Sequence, residues 1–166
     1  GTMAGMMSKT GTAGYIASFP IPEVVMGINA FTLAAQKVNP DFTTKVVWAS
    51  TWYDPAKEAD AARALLDQGA DIITQHTDSP AALQAAEERG AFAFGQATDM
   101  SRFAPKAHLT AIEDNWGPYY VKRVQAQLDG AWEADDVWLG MADGEVVITP
   151  FRDNVPPEVA AAAEKV

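Results

Sequence analysis

The pentapeptide Gln75-His76-Thr77-Asp78-Ser79 follows directly on the apolar run Asp71-Ile72-Ile73-Thr74. An amide, an imidazole, two hydroxyls and a carboxylate gather where a short apolar strand stops. Groups of these types can hold a polar small molecule by hydrogen bonds. The pattern recurs with Ser18-Phe19 after Tyr15-Ile16-Ala17, and with Ser50-Thr51-Trp52 after Val46-Val47-Trp48-Ala49. It recurs again with Gln96-Ala97-Thr98-Asp99 after Ala91-Phe92-Ala93-Phe94. In open parallel α/β sheets, ligands bind outside the carboxyl ends of the strands. These strand ends therefore predict one small-molecule site, with Phe19, Trp52, Gln75, His76, Thr77, Asp78, Gln96 and Asp99 as candidate ligand contacts. Trp52, costly to leave in water without a role, is the expected stacking face for a planar ligand.

Catalysis has less to rest on. His76 and Asp78 flank Thr77 and could exchange a proton. No Ser or Cys nucleophile sits in a recognisable elbow. The two His residues have no Glu at ligand spacing, which gives no metal signature. Gly11-Thr12-Ala13-Gly14 lies before the first strand, whereas a dinucleotide fingerprint must follow it. No catalytic residue, metal or cofactor is expected. Asp78 also reads as the cap of the next helix, and Asp99 as a solvated loop carboxylate.

The elements that must carry these residues follow from periodicity. Strands are expected at 15–19, 45–50, 71–75 and 91–96, a fifth at 109–112, and two short ones near 137–141 and 146–149. Val24, Ile28, Phe31, Ala35 and Val38 recur at helical spacing after Pro22, the expected first helical residue. Asp54-Pro55 caps a second helix, with Ala59, Ala62 and Leu66 on its apolar face and Lys57, Glu58, Arg63 and Asp67 on others. A third helix follows Asp78-Ser79-Pro80, and Gly117-Pro118 opens a fourth, over 117–129, with Val121, Val124 and Leu128 as its buried face. Residues 156–166 form a last one. Strands alternating with helices of this length indicate βαβ units and a mainly parallel sheet with helices on both faces. Residues 3–11 read as the last turns of a helix with a Gly stop.

A chain of 166 residues suffices for a sizeable core. Lys plus Arg is 12 against 22 for Asp plus Glu, a net charge of −10. That balance argues against nucleic acid and against an anionic membrane surface as partners. The absence of Cys excludes disulfides, thiol catalysis and thiolate-bound metal.

Several blocks together resemble one family. Ser18-Phe19-Pro20-Ile21-Pro22-Glu23-Val24, Gly27-Ile28-Asn29-Ala30-Phe31, Trp52-Tyr53-Asp54-Pro55-Ala56-Lys57-Glu58, Gln75-His76-Thr77-Asp78-Ser79 and Asn115-Trp116-Gly117-Pro118-Tyr119-Tyr120 are similar to the basic membrane protein (BMP) family of substrate-binding lipoproteins. The resemblance runs from about Met3 to the end. It implies a type I periplasmic-binding-protein lobe with a flavodoxin-like sheet, a purine nucleobase or nucleoside as ligand, and an ABC permease as partner. It implies that residues 1–10 end a helix of a first lobe and that 11–166 form the C-terminal, ligand-binding lobe. It further implies that the first lobe precedes Gly1 with a signal peptide and a lipid-anchoring cysteine, placing the protein on the periplasmic or extracellular face of the membrane.

By the same resemblance Trp52 falls at a base-stacking aromatic, and Thr77 and Asp78 in the loop that approaches the purine. Nucleoside-binding members have Asp two residues after the Gly corresponding to Gly95, and this Asp holds the ribose; here that position is Ala97, with Asp99 kept. By the resemblance, a Lys at the end of the next strand is replaced by Glu113 or Asp114. Both departures favour a bare nucleobase such as adenine. Helix 117–129 is expected to pack on the first lobe. Taken alone, this chain would then expose that helix, its cleft face and Met3, Met6 and Met7, and form a symmetric homodimer. A ligand-sensing module of a regulatory protein, or a purine-acting hydrolase, are the alternatives on the same fold.

Overall fold

The computed structural model describes residues 1–166. The strands are β1 (Thr12–Ala17), β2 (Thr43–Trp48), β3 (Ile72–His76), β4 (Phe92–Gly95), β5 (His108–Asp114) and β6 (Val146–Ile148). They form one sheet in the order β2-β1-β3-β4-β5-β6. All neighbouring pairs are parallel except β5 with β6. The order of the first five is that of flavodoxin-like folds, in which the chain reverses its direction of travel across the sheet beside β1.

Helices cover both faces, so the inner strands are apolar on both sides. Ile16 and Ile73 face α3 (Pro55–Asp67) and α4 (Ala81–Glu88), where Ala62, Leu65, Leu83 and Ala86 complete the main core. Residues one step along each strand point the other way. Ala13 and Ile72 meet Ala35 of α2 (Pro22–Gln36) and Ala4 of α1 (Thr2–Met7). Leu109 meets Met3 and Val159, the latter on α6 (Pro157–Ala163). Each fully buried Leu or Ile of this kind contributes roughly 1.5–3 kcal/mol. Gly14 permits the close approach of α3 to β1: a Cβ there would lie 2.7 Å from the Leu65 Cβ.

The observed elements correct several expectations. β1 begins three residues and ends two residues earlier than predicted, and β2 lies two residues earlier, leaving Ser18, Phe19, Ala49 and Ser50 beyond the paired strands. No strand forms at 137–141; a single 3-10 turn, Met141–Asp143, precedes β6, which pairs only with β5. Helix α5 (Trp116–Leu128) buries none of its residues. Val121, Val124 and Leu128 are 71%, 60% and 75% exposed, because no other element of this chain lies over them. The Met-rich start is not an exposed patch. Met3 is buried, α1 packs against α2 and α6, and only Met6 of the three is exposed.

Candidate functional site

The loops after β1, β2 and β3 converge at the carboxyl edge of the sheet. Ser50 adopts φ +54°, a left-handed conformation that turns the chain sharply after β2. This conformation costs a non-glycine residue about 1–3 kcal/mol, and such strain clusters at ligand clamps. The turn delivers Trp52 to Phe19, with ring centroids 5.5 Å apart, and to His76, at 6.0 Å. Phe19, Trp52 and His76 form a continuous aromatic wall over three strand ends. Trp52 remains 41% exposed, so a face of it is open to a ligand. His76 Nε2 lies 3.6 Å from Glu23 Oε1 at the start of α2.

The loop after β3 is tied to the Trp52 loop. The Asp78 N–H donates to the Trp52 carbonyl at 2.9 Å. The Asp78 side chain is exposed. It does not cap α4, contrary to the sequence expectation: no side chain caps that helix at Pro80, and Ser79 Oγ instead accepts from the Ala81 N–H at 3.3 Å. Partial burial and then the Glu58 charge raise the Asp78 pKa, with His76 opposing them. A carboxyl so placed, free of the helix, is suited to hydrogen-bond a donor on a ligand.

Gln75 and Thr77 lie behind this wall. Both are buried, and Gln75 Nε2 donates to the carbonyls of Thr77 and Ser79 at 2.9 and 2.8 Å, bracing the loop from within. Ser18 Oγ, Gln75 Oε1 and Thr77 Oγ1 are buried and have no hydrogen-bond partner in the protein. Buried polar atoms of this kind take a ligand or a bridging water as partner.

Gln96 and Asp99 stand on the other side of the edge, after β4. Ala97, between them, also adopts a left-handed φ of +57°. Asp99 belongs to a second cluster. Its Oδ1 accepts from the Ser101 N–H at 2.8 Å, its Oδ2 accepts from Arg152, and His108 Nε2 lies 3.8 Å away. Burial pushes the Asp99 carboxyl up, but hydrogen bonds from Ser101 and Arg152 and the Arg152 charge outweigh it and hold the group at about 2. His108 is fully buried with neither ring nitrogen hydrogen-bonded, and burial lowers its pKa. Asp99 is thus an ion-paired anchor of its loop, where the sequence suggested a solvated carboxylate.

Of the eight predicted residues, Phe19, Trp52 and His76 meet directly, and Asp78 joins them through the Trp52 backbone. An apolar cavity of about 510 Å³, lined by Met3, Phe31, Phe94, Ile112 and Phe151 among others, includes none of the eight. Sequence reasoning missed Glu58 and Arg152. Glu58, expected off the apolar face of its helix, is fully buried and accepts hydrogen bonds from two loops. Its position four residues after the cap Asp54 was the available signal, since a side chain there can reach back toward the helix start.

Known proteins are similar to this chain over nearly its whole length. A purine-binding protein of Brucella abortus (strain 2308) is 59% identical over 165 residues, which is 99% of this chain and 47% of that protein. A Haloferax volcanii protein, provisionally named an ABC transporter glucose-binding protein, is 41% identical over 159 residues, 96% of this chain and 41% of its own length. The chain therefore spans about half the length of these relatives. A solved ABC transporter solute-binding protein from Conexibacter woesei superimposes with a TM-score of 0.78 at 22% identity, covering 99% of this chain and 56% of that one, and shares the fold. The sheet is that of type I periplasmic binding proteins. The family model described as "ABC transporter substrate-binding protein PnrA-like" matches residues 1–165, and the chain belongs to this Bmp family.

Proposed function

We propose that this chain is the C-terminal lobe, with residues 1–10 ending a helix of the first lobe, of a binding protein that captures a purine and passes it to an ABC permease without chemistry. The single observation that carries the reading is the aromatic wall of Phe19, Trp52 and His76 with the Asp78 carboxyl beside it. A purine stacks on such a wall, and its amino and ring N–H groups need acceptors at the edge. The name of the Brucella relative supports the same ligand class. Ala97 offers no side-chain hydrogen bond to a ribose, so a nucleobase such as adenine is favoured over a nucleoside. Thr77, Gln75 and Gln96 support the polar side of the site, and Asp99 holds the far loop. The full-length protein then works at the periplasmic or extracellular face of the membrane, held by a lipid anchor.

A hexose is the second reading. A flat aromatic face with polar neighbours also accepts a sugar ring, and the name of the Haloferax relative points that way. Calorimetric titration of adenine, guanine, adenosine, guanosine and glucose into the full-length two-lobed protein separates these. Tightest binding of a nucleobase is expected. Tighter binding of both nucleosides overturns the nucleobase preference, and binding of glucose alone overturns the purine reading.

A further inference from the structure

We propose that Glu58 is a positioning residue of the ligand site, its buried carboxylate locking the Trp52 loop and the His76–Ser79 loop into one rigid wall. The inference rests on the ligand reading of that wall. Glu58 sits in the first turn of α3 and is fully buried. Its Oε1 accepts from the Asp54 N–H at 2.9 Å. Its Oε2 accepts from the Ser79 N–H at 3.1 Å and from Ser79 Oγ at 2.7 Å. Residues 52–54 and 77–79 are therefore joined twice: by this carboxylate, and by the bond from the Asp78 N–H to the Trp52 carbonyl.

A role confined to ending the helix does not account for this residue. α3 already has a cap, because Asp54 Oδ1 accepts from the Lys57 N–H at 3.1 Å. One oxygen of Glu58 leaves the helix and bonds a loop 21 residues away in sequence. No cation lies within ion-pair distance of it. Burying a carboxylate without a cation is expensive and is tolerated only when hydrogen bonds satisfy it. Three donors satisfy Glu58, and all come from the two loops it joins. Of the titratable groups nearby, Asp54 bonds Glu58 through its backbone N–H, Asp78 feels the charge of Glu58, and His76 acts on Asp78 and faces Glu23. The negative charge of Glu58 acts on Asp78 and favours its protonated form.

The test uses Glu58→Gln and Ser79→Ala in the full-length protein, each first checked for a cooperative thermal transition. Glu58→Gln keeps the side-chain shape but turns an amide donor toward the loop donors. Adenine affinity is expected to fall about tenfold or more in Glu58→Gln, the effect of losing one charge-assisted hydrogen bond. Ser79→Ala loses less, and the double variant loses less than the sum of the two. Hydrogen exchange at the Asp54, Asp78 and Ser79 amides accelerates together. The Asp78 carboxyl, followed by carbon NMR, titrates lower in Glu58→Gln, which loses the Glu58 charge, and moves less in Ser79→Ala, which keeps it. Unchanged exchange at those amides, or adenine affinity within twofold of the parent in both variants, overturns the proposal. Should Glu58→Gln fail to fold, the Ser79→Ala exchange pattern decides by itself. If the parent protein binds no purine, the ligand reading falls, while exchange at the three amides still decides whether Glu58 clamps the loops.

Discussion

Trp52 and Asp78 belong to loops that follow β2 and β3, two strands that are not neighbours, yet the Asp78 N–H donates to the Trp52 carbonyl at 2.9 Å. β1 lies between those strands. The bond crosses over its end and traps Phe19, the second residue past β1, beside the Trp52 ring. One hydrogen bond outside the sheet thus gathers three strand ends at the point where such sheets bind ligands.

Replacing Trp52 with Ala in the full-length protein is expected to weaken purine binding by about 1–3 kcal/mol, the range for losing one base–aromatic stack. The ring is 41% exposed, so the melting temperature should change little. Calorimetry that finds the parent affinity in this variant would remove Trp52 from the site.

Arg152→Met should destabilise the fold at neutral pH and do so less in strong acid. In the parent, Asp99 titrates at about 2 when folded against an ordinary value of 3.8. The unfolded chain therefore takes up the proton first as the pH falls. The Asp99 contribution is complete above about pH 4 and is lost as the pH drops through about 2. Denaturant midpoints measured at pH 7 and pH 2 should show the gap between variant and parent closing, and a constant gap would assign the Arg152 contribution to packing instead.

His108 predicts a second window. Its folded pKa lies below the ordinary 6.5, so the unfolded chain binds a proton that the buried imidazole refuses. Its contribution to stability is highest above that value and falls as the pH drops below it. His108→Leu should flatten the stability profile between pH 7 and pH 5. A profile as steep as the parent's would trace the dependence to other groups.

The isolated chain of 166 residues should self-associate through α5. Trp116, Tyr120, Val121, Val124 and Leu128 are all exposed there. A contiguous apolar patch of that kind is uncommon on a monomer. Light scattering at high concentration should report a dimer, and Val121→Lys with Val124→Lys should return a monomer. A parent chain that stays monomeric contradicts the prediction.

What the sequence determined by itself was local. Apolar runs followed by polar residues located β1 to β4 and the polar segments that follow them, but also suggested a strand at 137–141 that does not form. Asp54-Pro55 located the start of α3, because a cap and its proline act within one turn. Those signals depend on near neighbours and survive without knowledge of the fold. The sequence also supplied all eight site candidates, but not which of them touch. That was decided by the strand order, which brings Trp52 and His76 together over β1 and leaves Asp99 to Arg152, 53 residues away. Glu58 shows the reason most directly. Helical periodicity left it off the apolar face, whereas in the fold the two loops enclose it and supply its donors. Burial of a carboxylate depends on partners that are distant in the chain, and only the packed structure brings them within reach.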